Sequence, residues 1–382
     1  MPKTLADLQT PSLVLDLPKV RRNIDRMAAR ARELEVPLRP HLKTPKSVHI
    51  AKLLAEAGAR GFNVSTLQEA EYFYEGGFED LYYCVPFAPV KAARAAALAA
   101  KGCVLTLMTD SLEGAKAAVA AAEAVSPTTP LRFTLELDVD GYRSGMPWQG
   151  DDFIEAAQVL ASSSATEFVG IMSYGGASYG KTPDGAADLT ETHLAALRKT
   201  AARLETAGLS CSMISFGSTP AVLHARSIEG VTEARCGIYT FQDLFQAGIG
   251  ACTVDDVSVS VLASVIARQP QHNRFVIDAG GLALSKDRST AGHTFDAQYG
   301  LVCDAVTGKP IGDLAVTTVS QEIGLVTSLS GKEVDLSRFP VGSTVRILPN
   351  HADMTAAAYE DYFVVEGDDN ITAHWTRRNY WA

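Results

Sequence analysis

Apolar and polar positions along the chain fall into a repeating order. Short apolar runs of strand length alternate with stretches in which apolar residues recur every three or four positions. Residues 11–17 read as a strand, and from Asp16 or Pro18 a helix extends to about Leu34, with Val20, Ile24, Met27 and Ala28 on one face. A strand ending at Lys43 follows, then a helix over 47–58. The pairs continue as strand 61–64 and helix 66–75, strand 80–85 and helix 89–101, and strand 104–108 and helix 111–125. Next come strand 131–138 and helix 151–163, strand 168–172 and helix 189–207, strand 212–216 and a short helix at 219–226, and a last strand at 232–235. Counted from the Lys43 strand, eight strand-like runs precede residue 240. Such a repeat implies parallel strands with crossover helices, and eight units can close as a (β/α)8 barrel.

After about residue 250 the period changes. Residues 257–266 largely alternate with period two, and 275–278, 314–318, 344–348 and 362–365 are further short strand-like runs with few helices between them. This predicts a mainly antiparallel β domain. The expected division is a barrel over 12–248 and a C-terminal β domain over 249–382, joined by residues 1–11.

Composition narrows the function. The formal net charge of -10 argues against nucleic acid or an anionic membrane as partner. No run of 18 apolar residues offers a membrane span, and the first residues lack an apolar signal core, so a cytoplasmic protein is expected. The six cysteines are scattered with no C-x-x-C pair, which suits reduced, mostly buried thiols.

Candidate chemistry gathers at the predicted C-terminal ends of the barrel strands. In Arg39-Pro40-His41-Leu42-Lys43-Thr44-Pro45-Lys46-Ser47 a lysine ends a strand expected to be buried. Burial disfavours a charged ammonium, lowers its pKa and makes the amine a usable nucleophile for an aldehyde cofactor. The plain alternative is a surface loop with two solvated lysines. Ser218 and Thr219, after Gly217, open a helix whose free N–H groups can hold phosphate, and Gly237 can bring more amides after the eighth strand. An ordinary helix cap is the alternative. Arg143, in a glycine-containing turn, can aim a guanidinium at an anionic cofactor oxygen, or pair with an aspartate in solvent. His351 and Asp353, two apart on extended chain, point to one side and can chelate a divalent ion; a hydrogen-bonded surface pair is the commoner outcome for such spacing. His193, His224 and His374 read as structural.

Together these segments resemble a known family. Arg39-Pro40-His41-x-Lys43-Thr44-x-Lys46-Ser47, Asp138-x-Asp140-Gly141-x-Arg143-Ser144-Gly145, Phe216-Gly217-Ser218-Thr219-Pro220, Val276-Ile277-Asp278-Ala279-Gly280, Ser285-Lys286-Asp287-Arg288 and Pro349-Asn350-His351-x-Asp353 are its marks. The chain resembles, over essentially its whole length, the fold-type III pyridoxal-phosphate enzymes of the D-serine dehydratase, D-threo-3-hydroxyaspartate dehydratase and D-threonine aldolase group. The resemblance implies an alanine-racemase-type barrel followed by a β domain, and a homodimer. It implies Lys43 as the Schiff-base lysine and Arg143 beside the cofactor's phenolic oxygen. It also implies Gly217, Ser218, Thr219 and Gly237 as the phosphate cradle, Ile238 as a further cofactor-binding residue, and Tyr179 in the pocket. His351 and Asp353 match the metal pair beside the substrate's β-hydroxyl.

Two departures divide the reactions of the group. Dehydratases usually carry histidine where this chain has Tyr174, and cysteine where it has Asp353. Aldolases have His-x-Asp and that tyrosine, but tend to place a histidine after it, where this chain has Gly175. A carboxylate in place of a thiolate hardens the metal site, favouring Mg²⁺ or Mn²⁺ over Zn²⁺. The implied activity is a lyase on D-β-hydroxy-α-amino acids. The first expectation is a dehydratase giving 2-oxo acid and ammonia. The alternative is an aldolase giving glycine and an aldehyde, with Tyr174 as base. A racemase would need a second base such as Tyr299 and leaves the His-x-Asp pair idle; a cofactor-carrying protein on the same barrel usually lacks the β domain.

Overall fold

The structure is a computed structural model that describes residues 2–381. Contacts divide the chain into two compact units. One comprises Arg26–Lys43 and Ile50–Gly237, with the residues from Tyr380 on; the other comprises the residues up to Asp25, Thr44–His49 and Ile238–Asn379.

The first unit is the parallel barrel that the alternation predicts. Its strands run in the order Phe62–Val64, Asp80–Pro86, Val104–Thr109, Leu131–Asp138, Thr166–Ser173, Met213–Phe216 and Glu233–Ala234, every neighbour parallel. The segment 37–42 supplies the remaining strand. Arg39 and His41 donate their backbone N–H groups to Ala234 O (2.9 Å) and Cys236 O (2.8 Å), while Asn63 donates to Pro40 O (2.8 Å). That segment therefore joins the first strand of the sheet to the last and closes it. Leu81-Tyr82-Tyr83-Cys84, an unbroken apolar run buried on both faces, suits a parallel strand, whereas Leu131–Asp138 alternates apolar and polar residues yet buries Thr134 and Glu136. Three of the crossover helices start at hydroxyl caps. Thr66, Ser111 and Thr182 accept the N–H groups of Glu69, Gly114 and Gly185.

Closure is bolted by a buried arginine. Arg39 Nε donates to Glu233 Oε2 at 2.6 Å, and Nη1 and Nη2 donate to the two Asp80 oxygens at 2.8 Å each. Ser215 donates to the other Glu233 oxygen at 2.6 Å. Gly61 lies against this clamp at φ +126°, where an added Cβ would stand 2.4 Å from Arg39 Nη1.

The second unit contains a closed antiparallel barrel. Val259–Gln269 pairs on one side with Thr344–Leu348 and on the other with Arg274–Ile277. The ring continues through Gly324–Ser328, Pro310–Val319 and Leu301–Asp304 back to Thr344–Leu348. Ser12–Asp16 also belongs here: it pairs antiparallel with Val259–Gln269 and parallel with Asp361–Val365. The division at 12 and 248 thus differs from the contact division, because the first strand seeks this sheet rather than the parallel one.

Among the described residues, no helix is long and apolar enough to cross a membrane. All six cysteines are free; burial pushes the Cys84 and Cys303 thiols up to about 12 and Cys211 to about 11.

Replacing Arg39 with leucine leaves the Glu233 carboxylate buried without its cation. The expected loss is about 3–5 kcal/mol in unfolding free energy, read from urea denaturation; a loss under about 1 kcal/mol, the usual size for an exposed pair, would mean that the clamp does not hold the barrel.

Candidate active site and metal centre

Within the parallel barrel, three turns meet at the C-terminal ends of the strands. Gly217 has φ +147°, and a Cβ there would lie 2.2 Å from Arg235 O. A Cβ on Gly237 would stand 2.9 Å from His41 Cβ and 3.0 Å from His41 O. Only residues without side chains let the seventh and eighth turns press together, and against the segment that ends in Lys43. Lys43 itself is exposed, although Leu42 before it is fully buried. The expectation of a buried lysine is therefore corrected: the strand ends at Leu42 and the next residue stands at the barrel mouth. Its backbone N–H is held by His41 Nδ1 at 3.2 Å.

Ser218 caps the helix Thr219–His224 through Ala221 N–H (3.3 Å), and its hydroxyl also shares a 2.7 Å hydrogen bond with Ser178. The capping reading is thus correct for Ser218. Thr219 is different: it is fully buried and its hydroxyl has no hydrogen-bond partner. A buried unsatisfied hydroxyl is costly, and one beside two obligatory glycines fits an anionic oxygen brought by a ligand. Ile238 is buried and falls in the other contact unit.

Arg143 is exposed, with its guanidinium 4.3 Å from the Tyr174 ring centroid and 4.0 Å from Glu136. The paired acid is thus a buried glutamate, where an aspartate in solvent was the alternative. Ser144 donates to Glu136 at 2.6 Å. Tyr142 meets Tyr174 edge to face at 5.9 Å, and a Cβ on Gly176 would collide with both rings. Tyr179 is half-buried on the short turn Gly176–Gly180. Arg235, buried in the barrel, donates Nη2 to Ser173 O at 2.9 Å while its Nε finds no partner. The sequence places Arg235 at a strand end but gives no hint of that orphaned donor.

The second unit holds the His-x-Asp pair. His351 is not on a continuous strand with Asp353: it caps the helix Ala352–Ala356, and Asp353 sits in its first turn. The chain turns because Asp243, itself a helix cap, accepts Ala352 N–H at 3.0 Å as well as Gln246 N–H at 2.8 Å. The two side chains still converge, with His351 Nε2 4.0 Å from Asp353 Oδ2. On the far side of the ring, His351 Nδ1–H donates to Asp287 at 2.6 Å. That bond leaves Nε2 as the ring nitrogen turned to Asp353, the arrangement by which carboxylates orient metal-binding histidines. Asn350 accepts Thr290 N–H (3.2 Å) and donates to Thr290 Oγ1 (2.7 Å) and Gln298 O (2.6 Å), fixing the loop that carries Asp287.

Charge in this cluster follows from burial and proximity. Burial works to lower the His351 pKa, but Asp287, Asp353 and Asp243 outweigh it and leave the pKa above its usual value. The Asp287 carboxyl is held down by its bond to His351. Asp243, fully buried, is pushed up to about 6 by desolvation. Asp243 and Asp287 are not among the predicted site residues. Asp287 lies in a quoted motif without a role, and 64 residues separate it from His351.

A closed parallel barrel followed by a closed antiparallel β barrel is an alanine-racemase type of fold. The comparisons agree. The family pattern described as "Alanine racemase, N-terminal domain" matches residues 15–244, and "Putative serine dehydratase domain" matches 258–365. The chain belongs to this alanine racemase N-terminal domain family, with the serine dehydratase type of second domain.

It is 38% identical to the D-threo-3-hydroxyaspartate dehydratase of Delftia sp. strain HT23 over 100% of both chains. It is 31% identical to the D-serine dehydratase of Dictyostelium discoideum over 98% of both. A D-threonine aldolase of Arthrobacter sp is 27% identical over 94% of this chain and 90% of that one. The solved structure of the Delftia enzyme superposes with a TM-score of 0.93 over 100% of both chains. These full-length relatives are all lyases.

Exchanging Asp287 for asparagine removes the largest influence that raises the His351 pKa. The imidazole is then expected to titrate at lower pH than in the parent protein, followed by NMR of labelled histidine. An unchanged midpoint would show that Asp287 does not govern that ring.

Proposed function

We propose that the protein is a lyase dependent on pyridoxal 5'-phosphate and a divalent metal. It acts on D-β-hydroxy-α-amino acids, as a dehydratase that yields a 2-oxo acid and ammonia. The observation that carries this is the His351–Asp353 pair, two donors 4.0 Å apart on a turn held by Asp243, with Asp287 behind the imidazole. A racemase has no task for such a pair. No group of three or more His, Cys, Asp or Glu side chains able to hold a metal occurs among the described residues. An ion held by only two protein donors would take its remaining ligands from water and substrate, as Mg²⁺ sites commonly do. An imidazole and a carboxylate without thiolate favour Mg²⁺ or Mn²⁺ over Zn²⁺.

The cradle fits the cofactor: Gly217, Gly237 and the partnerless Thr219 hydroxyl suit its phosphate. When bound, pyridoxal phosphate supplies an electron sink for bonds at the substrate α-carbon, and the ion supplies a Lewis acid for the β-hydroxyl. The chain's residues do the rest. Lys43 Nζ would hold the cofactor's aldehyde and would take up the proton at the substrate α-carbon. Arg143 places positive charge over the Tyr174 ring, beside the expected site of the cofactor's phenolic oxygen. His351 and Asp353 orient the hydroxyl that departs as water. The enamine left in solution tautomerises and hydrolyses to the 2-oxo acid and ammonia. The working form is expected to be a homodimer.

Retro-aldol cleavage to glycine and an aldehyde is the second reading, favoured by one feature: Tyr174, a phenol beneath the Arg143 guanidinium, occupies the strand end from which a base can take the β-hydroxyl proton.

Incubation with D-serine, D-threonine and the 3-hydroxyaspartates decides between them. Ammonia with a 2-oxo acid is expected; glycine with an aldehyde moves the assignment to an aldolase, and an inverted amino acid alone rejects both. Lys43→Ala is expected to abolish the visible absorbance that added pyridoxal phosphate gives the parent protein. Chelation is expected to lower turnover by ~10²–10³-fold, restored by Mn²⁺, since a Lewis acid contributes several kcal/mol. Turnover unaffected by chelator would remove His351 and Asp353 from the chemistry.

A further inference from the structure

The longest helix of the parallel barrel, Pro183–Thr206, turns a buried face inward that includes Thr190, His193, Leu194 and Leu197. His193 is fully buried. A buried neutral imidazole has one donor and one acceptor nitrogen, and here each is met by a different segment of the chain. Ser173 Oγ lies 2.7 Å from its Nδ1, and Asp140 Oδ2 lies 3.1 Å from its Nε2. Since a carboxylate only accepts, Nε2–H donates to Asp140 and the Nδ1 lone pair accepts the Ser173 hydroxyl. The composition is that of a hydrolytic triad, but the chemistry is not. The ring nitrogens are exchanged relative to that arrangement, and Ser173 is fully buried, so no acyl group reaches it.

What the imidazole does is join two pieces of the candidate site. Ser173 ends its strand immediately before Tyr174. Asp140 uses its other oxygen to accept the backbone N–H of Tyr142 at 3.2 Å, one residue before Arg143. Arg143 in turn lies over Tyr174 at 4.3 Å, so the contacts form a closed circuit through His193. The ring is backed at 5.4 Å by Phe216, the residue before Gly217. We infer that His193 is a positioning residue: through Asp140 and Ser173 it sets the Arg143–Tyr174 pair that faces the cofactor. The inference rests on the proposed reading of Arg143 and Tyr174, and it adds the residue that fixes their mutual geometry.

The test uses the full chain with pyridoxal phosphate as the probe, and variants His193→Leu, His193→Gln and Asp140→Asn. Glutamine keeps an N–H able to reach Asp140; leucine does not. His193→Leu is expected to weaken pyridoxal phosphate binding by ~10–100-fold, the range for losing one charge-assisted hydrogen bond. In the cofactor-free protein it is expected to speed amide hydrogen exchange at residues 141–143. His193→Gln is expected to restore both, and Asp140→Asn to shift both in the same direction as leucine, which judges the idea if the leucine variant does not fold. Parent-like affinity and exchange in Asp140→Asn, or losses in His193→Leu that glutamine leaves unrepaired, would overturn the positioning role. A parent protein that takes up no pyridoxal phosphate defeats the cofactor reading instead, and the exchange measurement still decides whether His193 holds the loop.

Discussion

The parallel barrel depends on one segment being hydrogen-bonded on both edges. Residues 37–42 sit between Glu233–Ala234 and Phe62–Val64, and the same few residues end in Lys43. Position and reactivity are thereby linked. A lysine on a free loop would sample many positions, whereas this one follows a backbone pinned by five interstrand hydrogen bonds: Ala234 to Pro37, Arg39 to Ala234, His41 to Cys236, Asn63 to Pro40 and Leu42 to Asn63. Arg39 adds side-chain bonds to Glu233 and Asp80, on strands that lie on opposite sides of it. The interior arginine is satisfied at every nitrogen that the clamp uses, which is the condition under which a buried charge holds a structure rather than weakening it.

The glycines of the candidate site follow from the same closure. Eight strands of a tight barrel bring neighbouring turns close, and Gly217 and Gly237 stand where any Cβ would strike backbone or the His41 side chain. The turns that carry these glycines lie close together, and Thr219, two residues after Gly217, has a buried hydroxyl without a hydrogen-bond partner. The residues proposed to bind phosphate would thus be the ones that closure of the fold already requires.

The alternation of periods made the fold readable. Each predicted strand from 61–64 onward has a counterpart in the barrel, often shifted by a residue or shortened, as 232–235 is to Glu233–Ala234. What the pattern could not tell was partnership over distance. Ser12–Asp16 is as apolar as a barrel strand, and only its pairing with Val259–Gln269 assigns it to the other sheet. The site was legible where a motif is local, as in Gly217-Ser218-Thr219 or His351-x-Asp353. It was not legible where function needs residues far apart in the chain. Asp287 and Asp243 reach the His351 turn from 64 and 109 residues away, through a ring nitrogen and a backbone N–H. His193 looked like an ordinary core residue because helical spacing says where a side chain points and nothing about what meets it there. Lys43 shows the opposite error. The apolar/polar alternation before it suggested the end of a buried strand, but a strand's last residue can leave the core in a single step.

The charge balance around His351 bears on what the pair can hold. Three carboxylates, Asp243, Asp287 and Asp353, surround one imidazole and favour its protonated form. His351 binds its proton more tightly than usual, and the buried Asp243 carboxyl rises to about 6. A divalent ion held by His351 and Asp353 would bring positive charge to the same place and would compete with the imidazole proton. A thiolate in place of Asp353 would carry the same formal charge but spread it over a larger, softer atom, which suits zinc. With a carboxylate, an ion that prefers oxygen would fit better, and the imidazole that would hold it is anchored by Asp287.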